Sequence, residues 1–203
     1  MRRCDRGGVA RTRRRCDAWP NCSPLRTASR SALRSTRTSS VPYDWIDGHR
    51  PEPALLSGDE TAAAALGDFL SSLQRIQASD GPVSGPHSAW RDATTAPAHE
   101  AAVWLHGDVA IGNLLVDDRH SLSAVLDFGC SAVGDPACDT VIFWTQFRGT
   151  ARQAFRTSLG LDDAAWARGA GWALWKGLIM LTNVTPGESD LARRVLHELL
   201  DPE

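Results

Sequence analysis

Lysine is almost missing from this chain: Lys176 is the single one, and the other 21 basic residues are arginines. With alanine and glycine abundant, that bias is the mark of a GC-rich coding source. Cysteines number five, an odd count with no CxxC spacing, which argues against a disulfide framework or a zinc ribbon and points to a reducing compartment, read as cytoplasmic. Long apolar runs are absent too. The longest candidate, Leu174 to Leu181, is broken by Lys176, far short of the ~18 residues a membrane span needs. No apolar segment follows the first arginines, so no secretory signal is read.

What remains is the composition of a globular protein. Of 203 residues, 42% are hydrophobic and 23% charged, enough to bury one good core and too few for two domains of ordinary size. The net charge of −2 conceals a division. Residues 1–40 hold eleven arginines against Asp5 and Asp17, whereas residues 41–203 hold eleven basic and twenty-two acidic residues. The first forty residues are Arg, Ser and Thr with little apolar periodicity, so disorder is their expected state. A nucleic-acid arm, a transit peptide and a flexible tail are all open to such a composition, although the aromatic interleaving that stacks bases is missing. The reading preferred here is blander: a non-native or vestigial segment, with nucleic acid not expected as a partner.

Pattern begins at Val41. Ser57-Gly58-Asp59-Glu60 has the form of a capping box, followed by Leu66, Phe69, Leu70, Leu73 and Ile76 at helical spacing, a predicted helix of about five turns. Gly81-Pro82 and Gly85-Pro86 open a loop running to about Ala98. Ala102–Leu105 reads as a short buried strand. Leu114–Val116 and Ala124–Leu126, separated by the polar turn Asp117–His120, read as a hairpin. Beyond Asp139 the chain turns helical. One helix is predicted from about Asp162 to Leu181, with Trp166, Trp172, Trp175, Leu178 and Ile179 on a recurrent face. Another runs from about Ser189 to Leu200, burying Leu191, Val195, Leu196 and Leu199.

The chemistry-bearing residues cluster at the β element. His106-Gly107-Asp108 follows the first strand, Asn113 lies five residues after Asp108, and Asp127-Phe128-Gly129 closes the third strand. Two carboxylates and an amide at the ends of adjacent strands suit phosphoryl transfer. One carboxylate can orient an attacking hydroxyl and take its proton, while Asn113 and Asp127 supply the hard oxygens that magnesium prefers. Any one of these fragments is common by chance; their order and spacing together are not.

The stretches WLHGDVAIGNLLVDD and AVLDFGCSAVGDPACDT resemble the aminoglycoside phosphotransferase family, small-molecule kinases with a protein-kinase-like fold. The similarity covers about Val41 to Leu200. It implies an α+β, mostly helical, kinase-like C-terminal lobe over residues 41–203, with a small central β-hairpin carrying the catalytic loop and the DFG segment. By resemblance Asp108 is the catalytic base and His106 supports its loop. Asn113 and Asp127 hold Mg2+, and Gly129 joins them in binding ATP. Gly134-Asp135-Pro136 and Asp139 brace the loop, and Tyr43–Gly48 matches the stretch after the hinge that flanks adenine. The implied reaction transfers the γ-phosphoryl group of ATP to a hydroxyl of a small-molecule acceptor, aminoglycoside-like or related.

The family's N-terminal lobe, with its nucleotide-covering loop and phosphate-binding lysine, is not found before Val41, and chain order excludes Lys176 from that lysine's role. A second reading follows: a truncated, catalytically silent remnant or a binding-only lobe. A lobe without its upper half exposes an apolar face, and self-association through that face is expected. The remaining features read blandly. His49, His87, His99, His120 and His197 are expected to face solvent, and Cys130 and Cys138 to be small buried residues. The acidic residues Asp162, Asp163, Glu188, Asp190, Glu198 and Asp201 either form a solvated surface, the preferred reading, or line a pocket for a cationic acceptor.

Overall fold

The computed structural model describes residues 46–79, 81, 102–182 and 187–201. The basic segment 1–40, Tyr43–Trp45, His87, His99 and most of the predicted 81–98 loop lie outside these residues.

Two helices open the described chain, α1 (Pro53–Ser57) and α2 (Glu60–Gln74). The cap of α2 differs from the sequence expectation. Asp59, not Ser57, accepts the Ala62 N–H at 2.9 Å, while the Ser57 hydroxyl donates back to the Ala54 carbonyl. Asp59 sits directly before the first helical residue, within reach of the orphan amides of the first turn. The helix is 15 residues long, nearer four turns than five. Its face of Ala62, Ala63, Leu66, Gly67, Leu70 and Leu73 is buried against α4 (Gly149–Leu159), which presents Ala151, Phe155 and Leu159 at four-residue intervals. Gly67 allows that approach: a Cβ there would stand 2.8 Å from Ser158 Cβ and 2.9 Å from the Phe155 carbonyl.

Four short strands follow α2: β1 (Val103–Leu105), β2 (Leu114–Val116), β3 (Leu122–Val125) and β4 (Ala132–Gly134). They form two ribbons rather than one hairpin. The β2 and β3 strands pair antiparallel, Leu114 opposite Val125. The β1 and β4 strands also pair antiparallel, Leu105 opposite Ala132. The outer ribbon had no turn signal in the sequence, because its three-residue partners are joined only through the whole intervening segment. The nesting has one consequence for function: the links 106–113 and 126–131 must both run between the ribbons, side by side.

A 3-10 segment, Pro136–Val141, leads into α3 (Ile142–Thr145), and α5 (Asp163–Thr182) and α6 (Glu188–Leu200) complete the chain. The predicted last two helices are present within a residue or so of their expected bounds. Their faces need correction. Trp166 and Trp172 are buried, but Leu178 is 52% exposed and Ile179 faces solvent as well. On α6, Ala192 and Val195 are the buried residues, with Leu191, Leu196 and Leu199 half-buried. The α4 helix had not been singled out from its sequence, where Gly149, Arg152 and Arg156 dilute the apolar pattern. One core joins α2, α4 and α6 to the ribbons, with Phe147 and Phe155 at its centre. Among the described residues no helix is long and apolar enough to cross a membrane.

Candidate active site

The side-by-side links are fastened at several points. The N–H of Leu126 donates to the Asn113 carbonyl at 2.7 Å, and the Ser131 hydroxyl donates to the His106 carbonyl at 3.4 Å. His106 is fully buried. Its Nδ1 accepts the Asp108 N–H at 3.2 Å, which leaves Nε2 to donate to the Leu126 carbonyl at 2.8 Å. The ring also packs on Phe128, centroids 4.8 Å apart. His106 thus ties the segment bearing Asp108 to the segment bearing Asp127.

Asp139, also fully buried, secures this arrangement from beneath. Its carboxylate oxygens accept the N–H of His106 at 2.7 Å and that of Gly107 at 2.8 Å. Burial pushes the Asp139 carboxyl above its ordinary value, while His106 and the two N–H donors oppose the rise. Gly107 takes φ +83° and lies so close to the Cys130 carbonyl that a Cβ would collide with it; a left-handed backbone in tight contact suits glycine alone. Asp135 caps the 3-10 segment through Ala137 N and holds α5 by a two-pronged ion pair with Arg168, 2.6 and 3.1 Å.

On this base sit the residues the sequence singled out. Asp108 and Asn113 come together: the Asn113 amide group donates to the Asp108 carbonyl at 2.9 Å and to its carboxylate Oδ2 at 3.2 Å. With its NH2 committed to those two acceptors, the Asn113 amide turns its oxygen the other way. Asp127 is exposed and has a left-handed backbone, φ +59°, and its carboxylate accepts the Gly129 N–H at 3.3 Å. Such a conformation costs a non-glycine residue on the order of 1 kcal/mol or more. Asp127 lies two residues beyond the end of β3, not at its close.

Among the described residues no group of three or more His, Cys, Asp or Glu side chains would hold a metal unaided. That donor set still fits magnesium, which keeps water and phosphate ligands and takes only one or two oxygens from the protein. It does not fit zinc or calcium, which need fuller protein cages.

Cys130, expected to be buried, is exposed. Partial burial raises its thiol from the ordinary value, with Asp108 and then Asp127 adding to the rise, while Lys176 pulls it down. Cys138 is half-buried, its thiol pushed well up by burial and by Asp139 and Asp135. His49, His120 and His197 face solvent as expected. Of the post-hinge stretch, Ile46–Gly48 are described, and the adjoining His49 exchanges backbone hydrogen bonds with Val116 of β2.

The acidic residues suggested for a cationic pocket are largely engaged elsewhere. Asp162 caps α5 at Ala165 N, and Asp163, Asp190 and Glu198 pair with Arg156, Arg193 and Arg152.

Residues 88–172 match the model of the phosphotransferase enzyme family, APH. That stretch, 85 of the 203 residues, is similar to the aminoglycoside phosphotransferase-like proteins. It contains every candidate site residue from His106 to Gly129. No curated protein matches the chain. Among solved structures, macrolide 2'-phosphotransferase MphH from Brachybacterium faecium, an apoenzyme, is similar at 22% identity with a TM-score of 0.50, over 85% of this chain and 74% of that one. At that identity the likeness is one of fold, and this chain's fold is mostly helical with small sheets.

Proposed function

We propose that this chain is a small-molecule kinase of the aminoglycoside phosphotransferase type, moving the γ-phosphoryl group of ATP to a hydroxyl of its acceptor. The observation that carries the reading is the Asp108–Asn113 hydrogen-bonded pair held beside an exposed Asp127 on a buried His106–Asp139 base.

Each residue has a role its surroundings favour. Asp108, half-buried and oriented by the Asn113 amide, accepts the proton of the attacking hydroxyl and aligns its oxygen. The Asn113 carbonyl oxygen and the Asp127 carboxylate would hold Mg2+. When bound, that ion would offset charge on the phosphate oxygens in a loose transition state. Gly129, exposed and without a side chain, leaves room for phosphate oxygens beside Asp127. The rate gain then comes mainly from positioning and fixed charge. A hydroxyl on a neutral or amino-bearing small molecule is the acceptor class, and the cytoplasm, where ATP is plentiful, the working compartment.

The test is thermal. Ligand binding to the folded state stabilises it by about 2.7 kcal/mol at a hundredfold excess over the dissociation constant. Melting of the full chain is followed with Mg·ATP, with ATP plus chelator, and in the Asp127→Asn variant. A rise that needs magnesium and disappears in Asp127→Asn supports the reading. No rise at millimolar nucleotide overturns it and leaves the silent-remnant reading.

A further inference from the structure

The α5 helix buries one side, through Trp166, Gly169, Trp172, Gly177 and Met180. A helix that does so ordinarily carries charge on its other side, and α5 does not. Opposite the packed side stand Ala164, Ala167, Gly171, Leu174, Leu178 and Leu181, without a charge among them. Leu174 is half-buried and the other five are exposed, Leu178 by 52% and Leu181 by 40%. A Cβ on Gly171 would meet nothing within 4 Å. The charges nearest this face are engaged: Arg168 pairs with Asp135 and Asp163 with Arg156.

The spacing of the six is regular. They stand three, four, three, four and three residues apart, the alternation that keeps a row turned toward a second helix over several turns. The row is also graded, small at its start (Ala164, Ala167, Gly171) and large at its end (Leu174, Leu178, Leu181). Two copies laid parallel would set small against small and leave one end unfilled. Laid antiparallel about a two-fold axis, Ala164 falls opposite Leu181 of the second copy, Ala167 opposite Leu178, and Gly171 opposite Leu174. Every layer then holds one small and one large residue, so the helices approach evenly along the row.

The row is about 26 Å long at 1.5 Å per residue. Two such faces bring the buried surface to about 1,000 Å2, the low end for a specific interface, which suits a dimer with a dissociation constant on the order of 10 μM. An anionic membrane suits the face less well, because no lysine or arginine stands in the row.

We propose that the uncharged face of α5 is a homodimer interface, along which two copies of this chain pair antiparallel from Ala164 to Leu181. The assignment does not depend on the kinase reading.

Sedimentation of the full chain, from about tenfold below to tenfold above that constant, should show monomer passing to dimer and stopping there. By symmetry each substitution in the row acts on two layers. Leu178→Glu and Ala167→Lys should each weaken association at least about tenfold, because a charge would be buried against apolar surface. An equimolar mixture of the two variants should recover the dimer to within about threefold of the wild-type constant. In that mixture the substituted positions face one another with opposite charge, while the second layer keeps its native alanine and leucine. Leu200→Glu, at a residue 67% exposed on α6, should leave association unchanged. The wild-type dilution series needs no variant to fold, and melts of the dilute variants check that they do.

A chain that stays monomeric throughout, or that grows past the dimer without a plateau, overturns the proposal. So does a dimer indifferent to Leu178→Glu, or one weakened equally by Leu200→Glu. Loss in both row variants without recovery on mixing overturns the antiparallel pairing. A monomer that binds anionic vesicles through a Leu178→Glu-sensitive contact overturns the dimer and gives the face to a membrane surface.

Discussion

His106 and Asp139 are fully buried, whereas Asp127, Gly129 and Cys130 are exposed; yet these two regions are held together by hydrogen bonds across a single pair of links. The lower region has its polar atoms committed to one another: Asp139 to two backbone N–H groups, His106 to Leu126 and Asp108. The upper region lies exposed, with a long contact from Asp127 to Gly129. A buried polar group is costly unless paired, and costly again to unpair. The lower residues should therefore govern folding, and the upper ones ligand binding. Substitutions that mix these outcomes would break the comparison.

The largest effect is expected at Asp139. In Asp139→Ala two buried N–H groups lose their acceptor, at about 1–3 kcal/mol for each orphaned donor. The variant should melt roughly 4–24 °C lower, taking about 2–4 °C per kcal/mol for a chain of this size, and urea unfolding should give the matching loss. A drop under a couple of degrees would mean that the buried carboxylate does not hold the loop. Gly107→Ala comes next. The left-handed φ and the contact with the Cys130 carbonyl put it at about 1–3 kcal/mol by strain alone, and the Cys130 alkylation rate should change with it.

The pH dependence of Asp139 sharpens the same point. Burial raises its folded value, so the folded chain keeps that proton to higher pH than the unfolded chain does. The contribution linked to that proton is fully present below the unfolded carboxylate value and is lost as pH rises through the raised folded value. The stability advantage of wild type over Asp139→Asn should thus be greater at about pH 4 than at about pH 7. An advantage that grows with pH would show instead that the paired, charged form is the favoured one in the fold.

Much of this was legible in the sequence, and the failures have identifiable causes. The regular helices α2, α5 and α6 announced themselves because apolar residues recur there over several turns. The candidate site residues stood out for a different reason: HGD, the asparagine five residues on, and DFG stand in a fixed order, and the nested ribbons bring those segments together. Strand β4 was missed because three residues carry no periodicity and their partner lies across the entire site. The cap of α2 went to Asp59 instead of Ser57 because two adjacent capping residues compete and only geometry chooses. Leu178 and Ile179 look like core when counted along α5, but the packed face turns through Lys176 and Gly177 instead.

The smallest stability effect is expected at Asp127, the residue to which the proposed function gives the metal. Asp127→Asn keeps an oxygen for the Gly129 N–H, and asparagine tolerates the left-handed backbone nearly as well as aspartate. Exposed substitutions of this kind change stability by about 0.5 kcal/mol or less, so its melting temperature without ligand should lie within about 2 °C of wild type. Its response to Mg·ATP should nevertheless be lost, since an amide oxygen is a poor substitute for a carboxylate facing a divalent ion and phosphates. Circular dichroism melts with and without nucleotide measure both quantities on one sample. A large loss of stability in the unliganded variant would place Asp127 with the buried residues after all, and the division between a folded base and an open rim would fail at its most exposed member.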